Sequence, residues 1–263
     1  MKIIEGARDY LRRWPGIDND IKHLIVSSTK YVVFVDKELD VDWMCDDNYK
    51  HKSEKEHNHI LNDIADIESI PNDHLRDKIR LNYKRMIGEA LARSFDGDYQ
   101  NAEDILEKAK DYISKRNIEA SRGWFLFSSG IIGVFFMFLI LIFWLMRTNI
   151  IPFLGINAYA LILAFFFGGV GAFLSIVLRI GSSRLDSSSG KWLHYLEGTS
   201  RIVAGSISGL LLAILVRIGI VFPVIQNIEY IYYVYIAVAI IGGASERWAP
   251  TVAPSVKTVF IQI

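Results

Sequence analysis

Residues 124–146 read Trp-Phe-Leu-Phe-Ser-Ser-Gly-Ile-Ile-Gly-Val-Phe-Phe-Met-Phe-Leu-Ile-Leu-Ile-Phe-Trp-Leu-Met, 23 residues without a charge. As a helix this stretch reaches about 34 Å, enough to cross a hydrocarbon core of ~30 Å. Arg122 and Arg147 bracket it. Three more apolar stretches follow, at about 157–178, 202–222 and 228–244. The third carries Arg217 near its end, so either that arginine snorkels or the helix continues through Ile218–Phe222. Tyr230, Tyr232, Tyr233 and Tyr235 stand near the start of the fourth, where an interfacial aromatic belt would lie. The expected architecture is therefore a four-helix transmembrane bundle over residues 123–250, with a tail at 251–263.

The charge distribution supports this division. Residues 1–122 carry 21 Lys/Arg and 25 Asp/Glu, whereas residues 123–263 carry 8 and 4. A charge-rich half beside a charge-poor, aromatic half indicates a soluble domain joined to a membrane domain. The weakly acidic first half argues against a nucleic-acid surface, which usually shows a basic patch. The first ten residues are charged and amphipathic and lack the apolar core of a signal peptide. A single cysteine, Cys45, cannot form an internal disulfide and fits a reducing compartment.

Arg122, Arg179, Arg184, Lys191, Arg201, Arg247 and Lys257 fall on one side of a four-span topology, and Arg147 and Arg217 on the other. The positive-inside rule then predicts cytoplasmic N- and C-termini and a cytoplasmic soluble domain. The spans also carry stripes of small residues. Ala164, Gly168, Gly171, Ala172 and Ser175 recur at helical spacing, as do Gly205, Ser208 and Gly209, and Ala239, Gly242 and Gly243. Small residues let helices approach closely in lipid, so these stripes are the predicted packing faces. Each ends in charge at one membrane boundary, and the predicted inner-face cluster is Arg179, Glu197, Arg201, Glu246 and Arg247. That cluster would either gate the bundle or fix helix register through interfacial ion pairs.

The first half reads as mainly helical, and the fold class expected overall is an all-α membrane protein. Ile3–Trp14 forms a short helix stopped by Pro15-Gly16. Tyr31-Val-Val-Phe-Val35 is either a strand or a buried segment. Acidic residues crowd 36–47, and a solvated loop fits them better than a cation loop, since the spaced glycine and terminal glutamate are missing. His57 and His59 are two apart and face opposite sides of a helix over 52–69. Helices over 74–94 and 99–118 make a hairpin, and the second runs into the first span without a Gly/Pro linker before Gly123. No motif for a metal, a cofactor or a nucleophile–base pair is present, so no catalytic, cofactor-binding or metal residue is assigned and a non-enzymatic role is expected.

Several of these segments carry a recognisable pattern. It comprises Gly88-Glu-Ala-Leu-Ala92, Gly97-Asp-Tyr, Ala102-Glu-x-x-Leu-x-x-Ala109, Tyr112-Ile, Arg116-Asn and Arg122-x-Trp124. It continues in Gly168-Gly-Val-Gly-Ala172-x-x-Ser175-x-x-Leu-Arg179, Glu197-Gly-x-x-Arg201 and Gly242-Gly-Ala-Ser-Glu-Arg-Trp-Ala-Pro250. Over about 85–252 the chain resembles a family of bacterial inner-membrane proteins, whose members include proteins similar to the membrane effectors of retron-type antiviral systems. The resemblance implies a toxin held silent by a reverse transcriptase with its RNA–DNA hybrid, which acts as antitoxin. On release, the toxin would damage the cell's own membrane and abort infection. The partners expected are the lipid bilayer, further copies of the chain and that reverse transcriptase complex, with no direct nucleic-acid binding. The competing expectations are a regulated channel or transporter subunit and a scaffold that docks a cytoplasmic partner.

Overall fold

The computed structural model describes Trp14, Ile17, residues 20–182, Asp186, residues 189–221 and residues 231–245. The expected helix at Ile3–Trp14, Arg184, Glu246, Arg247 and the 251–263 tail lie outside the described residues, Trp14 excepted. The chain divides into two compact units, Met1–Ala120 and Ser121–Ile263.

The first unit opens with a three-stranded antiparallel meander, β1 (Ile21–Ser27), β2 (Tyr31–Asp36) and β3 (Val41–Cys45), in the order β1-β2-β3. This corrects the all-α expectation. The cause lies in β2, where Tyr31 to Val35 are all buried. A central strand covered on both faces reads as an unbroken apolar run and needs a neighbour on each edge to satisfy its backbone. Tyr31 and Val33 face a core shared with the helices, while Val32 and Phe34 pack with Trp14 and Ile17. The second edge is supplied by residues 41–45, inside the acidic stretch expected to be a solvated loop. Val32 pairs there with Met44, and Phe34 with Asp42. The tight turn at 37–40, closed by Leu39 in the left-handed conformation (φ 72°), and Asp46 and Asp47 after β3 remain loop.

Three helices follow. Helix α1 (Glu54–Glu68) is capped by Ser53, whose side chain accepts from the Glu56 amide. Helix α2 (Asp77–Asp96) ends at Gly97, whose φ of 72° suits a residue without a Cβ. Helix α3 runs from Tyr99 to Leu145 without interruption. Helices α2 and α3 are joined by Gly97-Asp98, and α3 continues into the first apolar span. Ile60, Ile64 and Ile67 of α1 pack with Ile87 and Leu91 of α2 and with Leu106 and Ile113 of α3. Burial at this period of three and four is what makes these segments helical in context.

In the second unit, α4 (Arg147–Arg179) and α5 (Lys191–Arg217) follow α3, and α6 (Ile231–Ala244) closes the described chain. Helices α3, α4 and α5 are long and apolar enough to cross a membrane. Helix α6 has 14 residues, and at ~1.5 Å per residue it is about 21 Å long. The expected start of that fourth span, residues 228–230, lies outside the described residues. Helix α4 is broken at Gly155 (φ 78°), which separates a segment of about two turns containing Pro152 from the long apolar part. Helix α5 stops at Arg217 instead of continuing through Ile218–Phe222. Gly219 takes φ 77°, and the amides of Ile218, Gly219 and Ile220 bond back to Ile214, Val216 and Leu215. Tyr235 also departs from the expected belt: it is buried beside Val216 and Ala160, whereas Tyr233 stays half-exposed.

Candidate functional site

In the second unit the predicted small-residue faces meet. A Cβ placed on Gly168 of α4 would lie 2.7 Å from the Gly205 carbonyl oxygen and 3.0 Å from the Gly209 Cα, both on α5. A Cβ on Gly209 would lie 2.7 Å from the Gly168 Cα and 2.8 Å from the Ala239 carbonyl oxygen of α6. The same test brings Gly243 against the Gly168 carbonyl, Gly171 against the Ile240 carbonyl and Gly205 against the Ala172 methyl. Three helices therefore touch backbone to backbone at one node. Residue 209 meets Ala164 and Gly168, and residue 205 meets Gly168 and Ala172, so α5 runs antiparallel to α4. Its contacts at Gly243 and Ala239 make it antiparallel to α6 as well. Ser175 and Gly242 complete the expected set, and both are buried.

Below the node, Ala160, Ala164, Leu212, Ala213, Val216 and Ala239 form a dry cluster. Beside it, Phe125 and Phe136 of α3 pack with Ala172, Ile176 and Ile202. The outer face of α3 is apolar and uncovered, with Phe127, Ile131, Val134 and Phe138 all more than half exposed. In a membrane that face meets acyl chains, which solvate it as well as a protein core would.

Within the charge cluster the described residues show the ion pair of Arg201 with Glu197. Arg201 donates to Glu197 at 3.0 Å, one turn away on the same helix, and its guanidinium sits 5.3 Å from the centre of the Phe125 ring. Arg179 ends α4 on an exposed position. Glu246 and Arg247 are outside the described residues. The buried stripe of α5 also runs slightly aside from the one expected. It passes through His194, Gly198, Ile202, Gly205 and Gly209, leaving Glu197, Arg201 and Ser208 half-exposed on its flank.

Two residues on that stripe were not singled out by the sequence reading. Gly198 is pressed against α3, where a Cβ would lie 2.7 Å from the Phe125 carbonyl and from the Ser129 hydroxyl. His194, four residues earlier, is 1% exposed, and neither ring nitrogen has a hydrogen-bond partner among the described residues. The available signal was its spacing of four from Gly198 and eleven from Gly205, which places it on the packing face.

In the first unit the histidines separate as expected: His57 is buried and His59 exposed. His57 Nδ1 lies 2.7 Å from the Ser94 hydroxyl, and its ring stacks on His51 at 3.8 Å. Burial, with His51 beside it, pushes the His57 pKa down to about 4. Stacked rings do not direct their nitrogens at one ion, so this pair is not a chelating arrangement. Burial pushes the Cys45 thiol up, which lowers its thiolate fraction at neutral pH. Lys84 is buried and holds Glu68 at 2.8 Å and Asp40 at 3.2 Å. Asp40 thus serves a lysine, although its carboxylate also lies close to those of Asp36 and Glu38. Comparison with known protein families, with characterised proteins and with solved structures finds no match for this chain.

Proposed function

We propose that this chain is a membrane effector of a bacterial antiphage system of the retron type, a toxin that perturbs the inner membrane when it is released or triggered. In this reading the chain crosses the inner membrane four times, both termini are cytoplasmic, and the unit at Met1–Ala120 receives the signal. A reverse transcriptase with its RNA–DNA hybrid holds it silent, and further copies of the chain assemble when it is freed. The effector class is supported by the motifs at 88–124, 168–179, 197–201 and 242–250.

The observation that carries the reading is the glycine node of Gly168, Gly205, Gly209 and Gly243. In lipid, helices gain nothing from burying apolar surface, so a node of this kind is held by close packing alone. Such a contact can be exchanged for an equivalent one with another copy at small net cost. The uncovered face of α3 offers a second surface for the same exchange. Arg179, Glu197, Arg201, Glu246 and Arg247 then act as the latch at the cytoplasmic end, where charges near hydrocarbon are stable only when paired or hydrated.

The test is expression in a bacterium with and without the genes that neighbour it. Growth arrest by the chain alone, relieved by co-expression of a neighbouring reverse transcriptase and its RNA, supports the reading. Unimpaired growth of cells that carry the chain in the membrane at high level removes it.

A further inference from the structure

At the α3–α4 elbow, away from the charge cluster, the second unit holds a cavity of about 340 Å³. The exposed part of its lining, taken as the mouth, is Trp144 at the end of α3, Arg147 and Ile156 of α4, and Tyr233 of α6. Tyr159, Ala160 and Leu163 line it further in. Close to the elbow, Gly155 breaks α4: its φ of 78° sets the segment carrying Arg147 apart from the helix carrying Tyr159. We propose that this cavity binds one phospholipid molecule of the surrounding bilayer. The phosphate would lie on Arg147, and the first part of an acyl chain would run past Ala160 and Leu163.

Three features of the cavity select this occupant. The first is charge. Arg147 is exposed, its guanidinium lies 5.2 Å from the centre of the Trp144 ring, and one of its N–H groups donates to the Trp144 carbonyl at 3.1 Å. A guanidinium has five N–H donors, so this leaves several for a phosphate, which it can grip with two parallel bonds. The described wall holds no carboxylate to neutralise it. The second is polarity order. The cation and the aromatic rims of Trp144 and Tyr233 stand at the mouth, whereas Ala160 and Leu163 are buried deeper, in the sequence head group to chain. Trp and Tyr are the residues that favour the head-group level of a bilayer. The third is size. The volume lies near the lower end of small-molecule sites, which run ~300–1,000 Å³, and suits a head group with a few methylenes, the remaining chain staying in the bilayer. The Tyr159 hydroxyl is already committed to the Phe143 carbonyl at 3.1 Å, so it braces the wall and leaves the anion to Arg147. The proposal requires only that the apolar helices reside in a bilayer, and it stands or falls apart from the toxin reading.

The test is native mass spectrometry of the full chain released from mild detergent after incubation with phosphatidylglycerol, with inorganic phosphate as a separate probe. The wild type should retain one lipid per chain. Arg147→Gln should lower the retained fraction at least tenfold, and Arg147→Lys should restore part of it. Ile151→Trp, which fills the cavity wall while leaving the arginine in place, should also lower it. Circular dichroism should show unchanged helix content in each variant. Retention of lipid by Arg147→Gln and Ile151→Trp at the wild-type level would overturn the proposal. So would a wild type that retains no lipid, or one from which millimolar inorganic phosphate displaces the lipid, since the site would then take a free anion.

Discussion

Gly168 and Gly205 meet so closely that a Cβ on the first would stand 2.7 Å from the carbonyl oxygen of the second. Backbone cannot retreat as a flexible side chain can, so this contact sets the spacing of α4 and α5. Gly168→Ala should destabilise the bundle by about 1–3 kcal/mol, the usual cost of an overpacked core. Gly123→Ala is the contrast. Among the described residues, nothing beyond its own stretch of helix lies within 4 Å of the added methyl group, and replacing a helical glycine by alanine stabilises by roughly 0.5–1 kcal/mol. Thermal melts of the two variants in detergent, followed by circular dichroism, should shift in opposite directions.

His194 carries two ring nitrogens without hydrogen-bond partners among the described residues, in a fully buried position. A buried polar group left unsatisfied costs about 1–3 kcal/mol, whereas an apolar side chain of similar shape pays nothing of the kind. His194→Leu should therefore melt at or above the wild-type temperature. A drop of several degrees would show that the imidazole holds a bond that the described residues do not supply.

The first unit should lose stability in mild acid, because His57 is buried as the neutral form with a pKa near 4. In the unfolded chain a histidine titrates near 6.5. Between these two values the unfolded state binds more protons, so stability falls as pH falls. It is fully present above about 6.5 and lost progressively towards 4, for a total on the order of 3 kcal/mol. His57→Gln, which can keep a bond to Ser94, should flatten that part of the curve in denaturant titrations run at a series of pH values.

Lys84 is enclosed with Glu68 and Asp40, and the carboxylates are the better-hydrated members. Neutralising Glu68 leaves a buried cation with only Asp40, the more exposed partner, to compensate it, while removing the cation returns the acids to water. Glu68→Gln should therefore cost more than Lys84→Met, by about 1–2 kcal/mol. Equilibrium unfolding of the first unit in urea reads the difference.

The membrane helices were legible because their signal is composition. Twenty-three uncharged residues at 124–146 allow one reading, and the glycine spacing at 168–171 and 205–209 told which faces would touch. The sheet was half legible. Tyr31–Val35 read as strand or buried segment, but its partner at 41–45 was hidden by Asp42, Asp46 and Asp47, which carry the look of a loop. Trp43 and Met44 are exposed in that edge strand, so no apolar alternation marked it. His194 escaped notice because a histidine's burial depends on tertiary packing. The cavity beside Arg147 escaped because it is made by a backbone turn at Gly155 and by Tyr233, 78 positions further on.

The most direct measurement is the membrane potential of cells in the first minutes after the chain is induced, read with a voltage-sensitive dye. A membrane effector should depolarise the inner membrane before growth stops, and Gly168→Ala, with its packing node disturbed, should change the onset. A potential that stays at the level of uninduced cells while the chain accumulates in the membrane would contradict the account.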